Sequence, residues 1–133
     1  MARTLPALLL VLAACGGSDG PQAPASRTVE VTMRSVAFEP ATLSVRAGET
    51  VTFRFTNADA IPHDVFVGTA AEQAEHEKDM RAGGHAHGDG AVDVAAGGTA
   101  TLTHTFGEAG TVEIGCHEPG HYAAGMKIVV TVN

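Results

Sequence analysis

The chain has no tryptophan, one tyrosine and two cysteines in 133 residues. Five phenylalanines are the only other aromatic rings apart from histidine, so any core must rest largely on aliphatic side chains. Basic residues are scarce. Eight Lys and Arg stand against fifteen Asp and Glu, for a net charge of −7. There is no basic stripe, which argues against nucleic acid as a partner. No apolar run is long enough to cross a bilayer core about 30 Å thick as a helix. Also missing are a Ser/His/Asp order, a plausible pair of catalytic carboxylates and a phosphate-cradling glycine loop. Neither an enzyme nor a small-molecule substrate is expected.

The first residues read as an export signal. Met1-Ala2-Arg3 carries one positive charge, Leu5 to Ala14 is almost wholly apolar, and small residues follow. Leu12-Ala13-Ala14-Cys15 resembles the bacterial lipobox, which is cut before a cysteine that then carries lipid. The alternative is an ordinary secretory signal with an incidental cysteine. The lipobox reading makes residues 1–14 a signal peptide of lipoprotein type and residues 15–27 a flexible tether, rich in Gly, Ser, Pro and Ala. The protein is then exported, to the periplasmic or cell-surface side of a bacterial membrane, and anchored through lipid on Cys15. About 110 residues remain, enough for one hydrophobic core and not two. Export also changes the cysteine arithmetic. Once Cys15 carries lipid, Cys116 has no disulfide partner in the chain, and a metal is the natural user of such a thiol.

From Thr28 the pattern is that of short strands. Apolar and polar residues alternate through Thr28–Met33, Thr42–Arg46 and Thr50–Asn57, and again after Pro62, at Ala91–Val94, Thr99–Phe106, Thr111–Ile114 and Lys127–Val132. Glycine-rich turns separate them. Residues 70–82 differ in kind: they lack Gly and Pro, are rich in helix formers, and follow Thr69 with Glu72 three positions on, as in a capping box. This segment has little apolar surface and is expected as one helix on the outside of the sheets. The fold class is all-β: a Greek-key antiparallel β-sandwich of seven or eight strands with one surface helix insert around 70–82.

The chemistry concentrates in Gly115-Cys116-His117-Glu118-Pro119-Gly120-His121-Tyr122-Ala123-Ala124-Gly125-Met126. A strand leads in and another leads out. Val112, Ile114 and Cys116 share one face at period 2, which turns Cys116 toward the core. Pro119-Gly120 turns the chain so that His121 returns to the same point, and Gly125 turns it again before Met126. His63, far upstream in Ile61-Pro62-His63-Asp64-Val65, is a fourth donor. One thiolate, two imidazoles and a thioether are the donor set of blue-copper sites.

Cys-x4-His-x4-Met with an upstream Asn-x5-His, here Asn57 and His63, resembles the cupredoxins, the plastocyanin/azurin family of type 1 copper proteins. The loop and the acidic helix insert resemble bacterial periplasmic cupredoxin-like copper-binding lipoproteins in particular. The resemblance covers residues 28–133 and implies one cupredoxin domain there. It implies one copper ion, with His63, Cys116 and His121 as equatorial ligands and Met126 as the axial one. It also implies that His121 is the exit for the electron, in an apolar patch of Pro62, Pro119, Tyr122, Ala123 and Ala124 where a redox protein docks. One position departs from the family: plastocyanin and azurin usually carry Asn after the first histidine, where this chain has Asp64.

Other histidines have weaker readings. Strand parity points His117 away from the metal, either packed behind it or exposed. His104 is expected as a partly buried sandwich histidine. His76 and Met80, spaced i and i+4, together with His85 and His87, could form a second, weaker metal site; the alternative is a solvated polar insert. Two functions fit the main site. One is a one-electron carrier in the bacterial envelope. The other is a periplasmic protein that sequesters or delivers copper in copper tolerance. A copper enzyme needs an open coordination position, which a set of four protein ligands does not leave.

Overall fold

The computed structural model describes residues 25–84, 88 and 90–133. The signal segment, Cys15, most of the tether, His85 and His87 lie outside the described residues.

The alternating segments become strands with their apolar parity turned inward. These are β1 (Ser26–Met33), β3 (Thr42–Val45), β4 (Thr50–Asn57), β5 (His63–Gly68), β6 (Ala91–Val94), β7 (Thr99–Thr105), β8 (Gly110–Gly115) and β9 (Lys127–Val132). A further strand, β2 (Phe38–Glu39), is only two residues long and pairs with the end of β1. It is too short to show a period, so the nine strands exceed the seven or eight expected. Strand β1 begins two residues before the expected domain boundary, at Ser26.

The strands form two layers: β2-β1-β4-β7 in one, and β3-β9-β8-β5-β6 in the other. The sandwich is as expected, but its sheets are mixed rather than purely antiparallel. β1 runs parallel to β4, and β3 runs parallel to β9. The physical reason is connectivity. Between β1 and β4 the chain visits the opposite layer, where it forms β3, and so returns to its first layer in the same direction. Alternation reports which face of a strand is buried and carries no information about the direction of its neighbour.

The core lies between the layers. Val51, Phe53 and Phe55 of β4 are fully buried, facing Ile114, Ile128 and Val130 of the other sheet's β8 and β9. Phe53 stacks on Phe55 and meets Phe106 edge-on, with centroids 6.0 and 6.2 Å apart. The far edge of the core holds His63, Cys116 and Met126, none of which has exposed surface.

Residues Ala70–Arg81 form α1, one residue shorter than expected because Ala82 is its C-cap. The capping box is present: the Thr69 side chain accepts from the Glu72 backbone, while the Glu72 carboxylate takes the Thr69 N–H at 2.7 Å. The helix packs on β5 and β8 with one buried residue, and that residue is polar: Gln73.

Candidate metal centre

Three donors converge from two places in the chain. His63 opens β5, immediately after the turn at Ile61-Pro62. Cys116 follows the last residue of β8, and its N–H bonds the Met126 carbonyl at 3.1 Å. The loop between them folds on itself. The His121 N–H bonds Glu118 O at 2.9 Å, and the Met126 N–H bonds His121 O at 3.0 Å. Gly125, with φ of 96°, takes the left-handed conformation that brings Met126 back beside Cys116. One loop therefore presents Cys116, His121 and Met126 at the same end of the sandwich as His63.

The donor atoms form a nearly equilateral triangle. His63 Nδ1 lies 3.3 Å from His121 Nδ1 and 3.5 Å from Cys116 Sγ, and His121 Nδ1 lies 3.4 Å from Cys116 Sγ. A point at the centre of such a triangle is about 2 Å from each corner, close to the metal–imidazole and metal–thiolate bond lengths of roughly 2.0–2.3 Å. Among the described residues this is the one group of three His, Cys, Asp or Glu side chains whose donor atoms gather so closely. Met126 is buried and tied by its backbone to both Cys116 and His121.

The protonation chemistry of the triangle also fits a cation. His63 Nε2 lies 3.0 Å from the Asp59 carboxylate. Asp59 is held below its ordinary value by the backbone N–H groups of Val36 and Ser35, so it is an anionic acceptor. Nε2 therefore carries the proton, and the bare lone pair of Nδ1 faces the other two donors. Burial lowers the pKa of His121, and the nearby His63 lowers it further, so its ring is neutral in the physiological range. Burial pushes the Cys116 thiol up to about 12, although the backbone N–H groups of Glu118 and Asp64 reach its sulfur and favour the thiolate. Without a positive charge at the centre this thiol keeps its proton; a soft cation replaces it.

The surroundings hold the donors from behind. The Asn57 side-chain amide gives hydrogen bonds to the carbonyls of Ile61, Val94 and Ala95, and its oxygen takes the Asp59 N–H. The loop that leads to His63 is fixed in this way. Asp64 uses its backbone N–H on Cys116 and turns its carboxylate to His76 on α1, 3.0 Å away. The change from Asn to Asp is thus matched by a histidine on the insert. His117 points away from the triangle, as parity predicts, but the opposite face of β8 is covered by α1. His117 is buried between Gln73 and Glu77, at 2.6 and 2.5 Å, and stacks on Tyr122.

The residues of the expected second site are not brought together around a common point among the described residues. His76 stacks on Phe66 at 4.3 Å with its Nε2 on Asp64, and Met80 is half-buried farther along the helix. Its other two members, His85 and His87, lie outside the described residues. His104 is half-buried against Phe106, as expected, and burial lowers its pKa. Tyr122 does not join an exposed apolar patch. It turns inward, and its hydroxyl donates to Glu113. Ile61, Pro62, Pro119, Ala123 and Ala124 are exposed on the segments that carry the donors. Sequence reasoning did not find Asp59, Gln73 or Glu77. Each has at least one hydrogen-bond partner more than twenty residues away, Ser35 and Val36 for Asp59 and His117 for Gln73 and Glu77, and such pairings leave no local mark.

Residues 25–133 match the model of the copper binding proteins of the plastocyanin/azurin family. The chain belongs to this family. The cupredoxin is 44% identical to the "Copper-resistant cuproprotein CopI" of Rubrivivax gelatinosus, over 86% of this chain and 72% of that one. It is 33% identical to the protein of the same name in Pseudomonas aeruginosa, over 98% and 97% of the two chains. Among solved structures it is similar to reduced auracyanin from Roseiflexus castenholzii, with a TM-score of 0.72 at 28% identity, covering 82% of this chain and 98% of that one. It is also similar to auracyanin A, a "blue" copper protein of Chloroflexus aurantiacus, with a TM-score of 0.68 at 29% identity, covering 81% and 99%. The cofactor of this cupredoxin is copper, and His63, Cys116, His121 and Met126 are arranged to receive it.

Proposed function

We propose that this cupredoxin would hold one copper ion of type 1 through the two imidazoles of His63 and His121, the Cys116 thiolate and the Met126 thioether, and that it serves copper tolerance in the bacterial envelope. The near-equilateral triangle of two Nδ1 atoms and one Sγ carries the first part. The names of the relatives, copper-resistant cuproproteins, support the second. Copper supplies a one-electron couple when bound. The protein's own part is to fix a donor geometry acceptable to both oxidation states and to keep water away through burial of His63, Cys116 and Met126. Export and anchoring through Cys15 place it where it meets incoming copper.

The electron-carrier reading is favoured by one observation. His121 is the one histidine of the triangle that is not fully buried, and exposed apolar residues, Pro119, Ala123 and Ala124, flank it in its loop. That arrangement suits brief docking with a redox protein through a small interface. Growth of a strain lacking the gene separates the two. The tolerance role predicts impaired growth in added copper, restored by the wild-type gene and not by Cys116→Ser. Normal growth of that strain in copper, together with a reversible potential and fast self-exchange of the purified protein, would overturn the tolerance role in favour of the carrier.

A further inference from the structure

Asp59 is the acidic side chain that joins the donor triangle from outside. Its Oδ2 sits 3.0 Å from His63 Nε2, while its Oδ1 and Oδ2 accept the N–H groups of Ser35 and Val36 at 2.7 and 3.0 Å. Ser35 and Val36 both have positive φ, 55° and 57°, so their successive N–H groups turn to one side and make a small anion-holding nest. Both residues lie in the connection between β1 and β2, in the opposite layer from His63. Asn57 fixes the backbone of the same residue, its side-chain oxygen accepting the Asp59 N–H at 2.9 Å. The β1–β2 connection and Asn57 at the end of β4 thus hold Asp59 with its carboxylate against the rear nitrogen of a buried imidazole. Two non-glycine residues in the left-handed region are an uncommon arrangement, and here both serve one acceptor.

Resting on the copper reading above, we infer that Asp59 is a positioning residue that sets the balance between the two oxidation states of the bound metal. A carboxylate behind an imidazole takes most of the share of its N–H and makes the opposite nitrogen a stronger donor. A stronger nitrogen donor favours Cu(II) over Cu(I), because the more highly charged ion gains more from it. The negative charge of Asp59, held in place by two backbone N–H groups and partly shielded from water, acts in the same direction. The centre is therefore poised toward the oxidised form, at a lower reduction potential than it would have with a neutral acceptor behind His63.

The test is a redox titration of the copper-loaded full domain beside its Asp59→Asn variant, with Cu(II) and Cu(I) affinities measured by competition. The variant should lose about tenfold in Cu(II) affinity relative to Cu(I). That ratio raises the potential by about 59 mV in a one-electron couple. The visible spectrum should stay close to that of the wild type, which a merely collapsed site would not allow. An unchanged potential with the spectrum intact overturns the role of Asp59 and leaves the copper site standing. A wild-type protein that takes up copper without thiolate charge transfer overturns both. A second measurement needs no variant. In the Cu(I) wild-type protein the His63 Nε2–H should appear in proton–nitrogen NMR as a downfield, slowly exchanging resonance. A freely exchanging proton there would also overturn the inference.

Discussion

The Nε2 of His117 lies 2.6 Å from Oε1 of Gln73, and neither side chain reaches solvent. The amide nitrogen of Gln73 faces the carbonyls of Phe66, Gly68 and Glu113, so the amide has one orientation and its oxygen must accept. A single buried side chain thereby fastens α1 to β5 and β8, and holds the residue that follows Cys116. Gly115 is part of the same fit: a Cβ there would meet Gln73 Oε1 at 2.6 Å and the Tyr122 ring at 2.8 Å. Gln73→Leu should fill the space but leave several buried polar groups unpartnered, at a cost of about 3 kcal/mol in urea unfolding of the metal-free domain. A loss below about 0.5 kcal/mol would mean that the helix merely lies over the sheet.

Tyr122 offers a clean titration because it is the single tyrosine of a chain without tryptophan. Burial pushes its hydroxyl up to about 12, and the hydrogen bond to Glu113 adds to the effect. A phenol with a raised value keeps its proton longer in the folded state than in the unfolded state. The domain should therefore lose stability as the pH rises from about 10 toward 12. Near-ultraviolet absorbance should show the phenolate appearing with a midpoint near 12. A midpoint near the free value of about 10 would show that Tyr122 is solvated.

The acid limb of stability should depend on Glu49. The Arg46 backbone N–H, at 2.8 Å, holds its carboxyl below the ordinary 4.5, and the guanidinium of Arg27, at 2.6 Å, adds to this against the opposing effect of burial. Folding then favours the charged form. The stabilisation is complete above the unfolded value of 4.5 and is lost as the pH falls through the lower, folded value. Glu49→Gln should cost about 1 kcal/mol near neutral pH and flatten the decline below it. An acid limb identical to the wild type in chemical denaturation would refute this.

The strands and the site were legible for different reasons. Strand parity at Thr50–Asn57 reports burial directly, and at Thr111–Ile114 it gives the direction of each side chain, so the inner faces and the inward turn of Cys116 can be read from period 2. The donors on the loop after β8 lie within eleven residues of one another, so their spacing carries their geometry. Pairing direction could not be read, because β1 and β4 meet through a crossover that leaves no local mark. The covering of His117 was also hidden. Parity says which way a side chain points, not whether a helix from forty residues upstream, bringing Glu77, waits on that side. Asp59 escaped for a related reason: its carboxylate is caught by Ser35 and Val36, more than twenty residues earlier in the chain. The family resemblance puts Tyr122 in the apolar patch around His121, whereas Glu113 and His117 draw it inward.

The central claim is that Cys116 binds copper as a thiolate inside a triangle completed by His63 and His121. The visible absorption spectrum of the Cu(II)-loaded domain tests it most directly, read beside Cys116→Ser, which keeps the size of the side chain and removes the soft donor. The wild type should show an intense thiolate-to-copper charge-transfer band, and the Ser variant should have none. A colourless Cu(II) form of the wild type, with Cys116 chemically intact, would contradict the account.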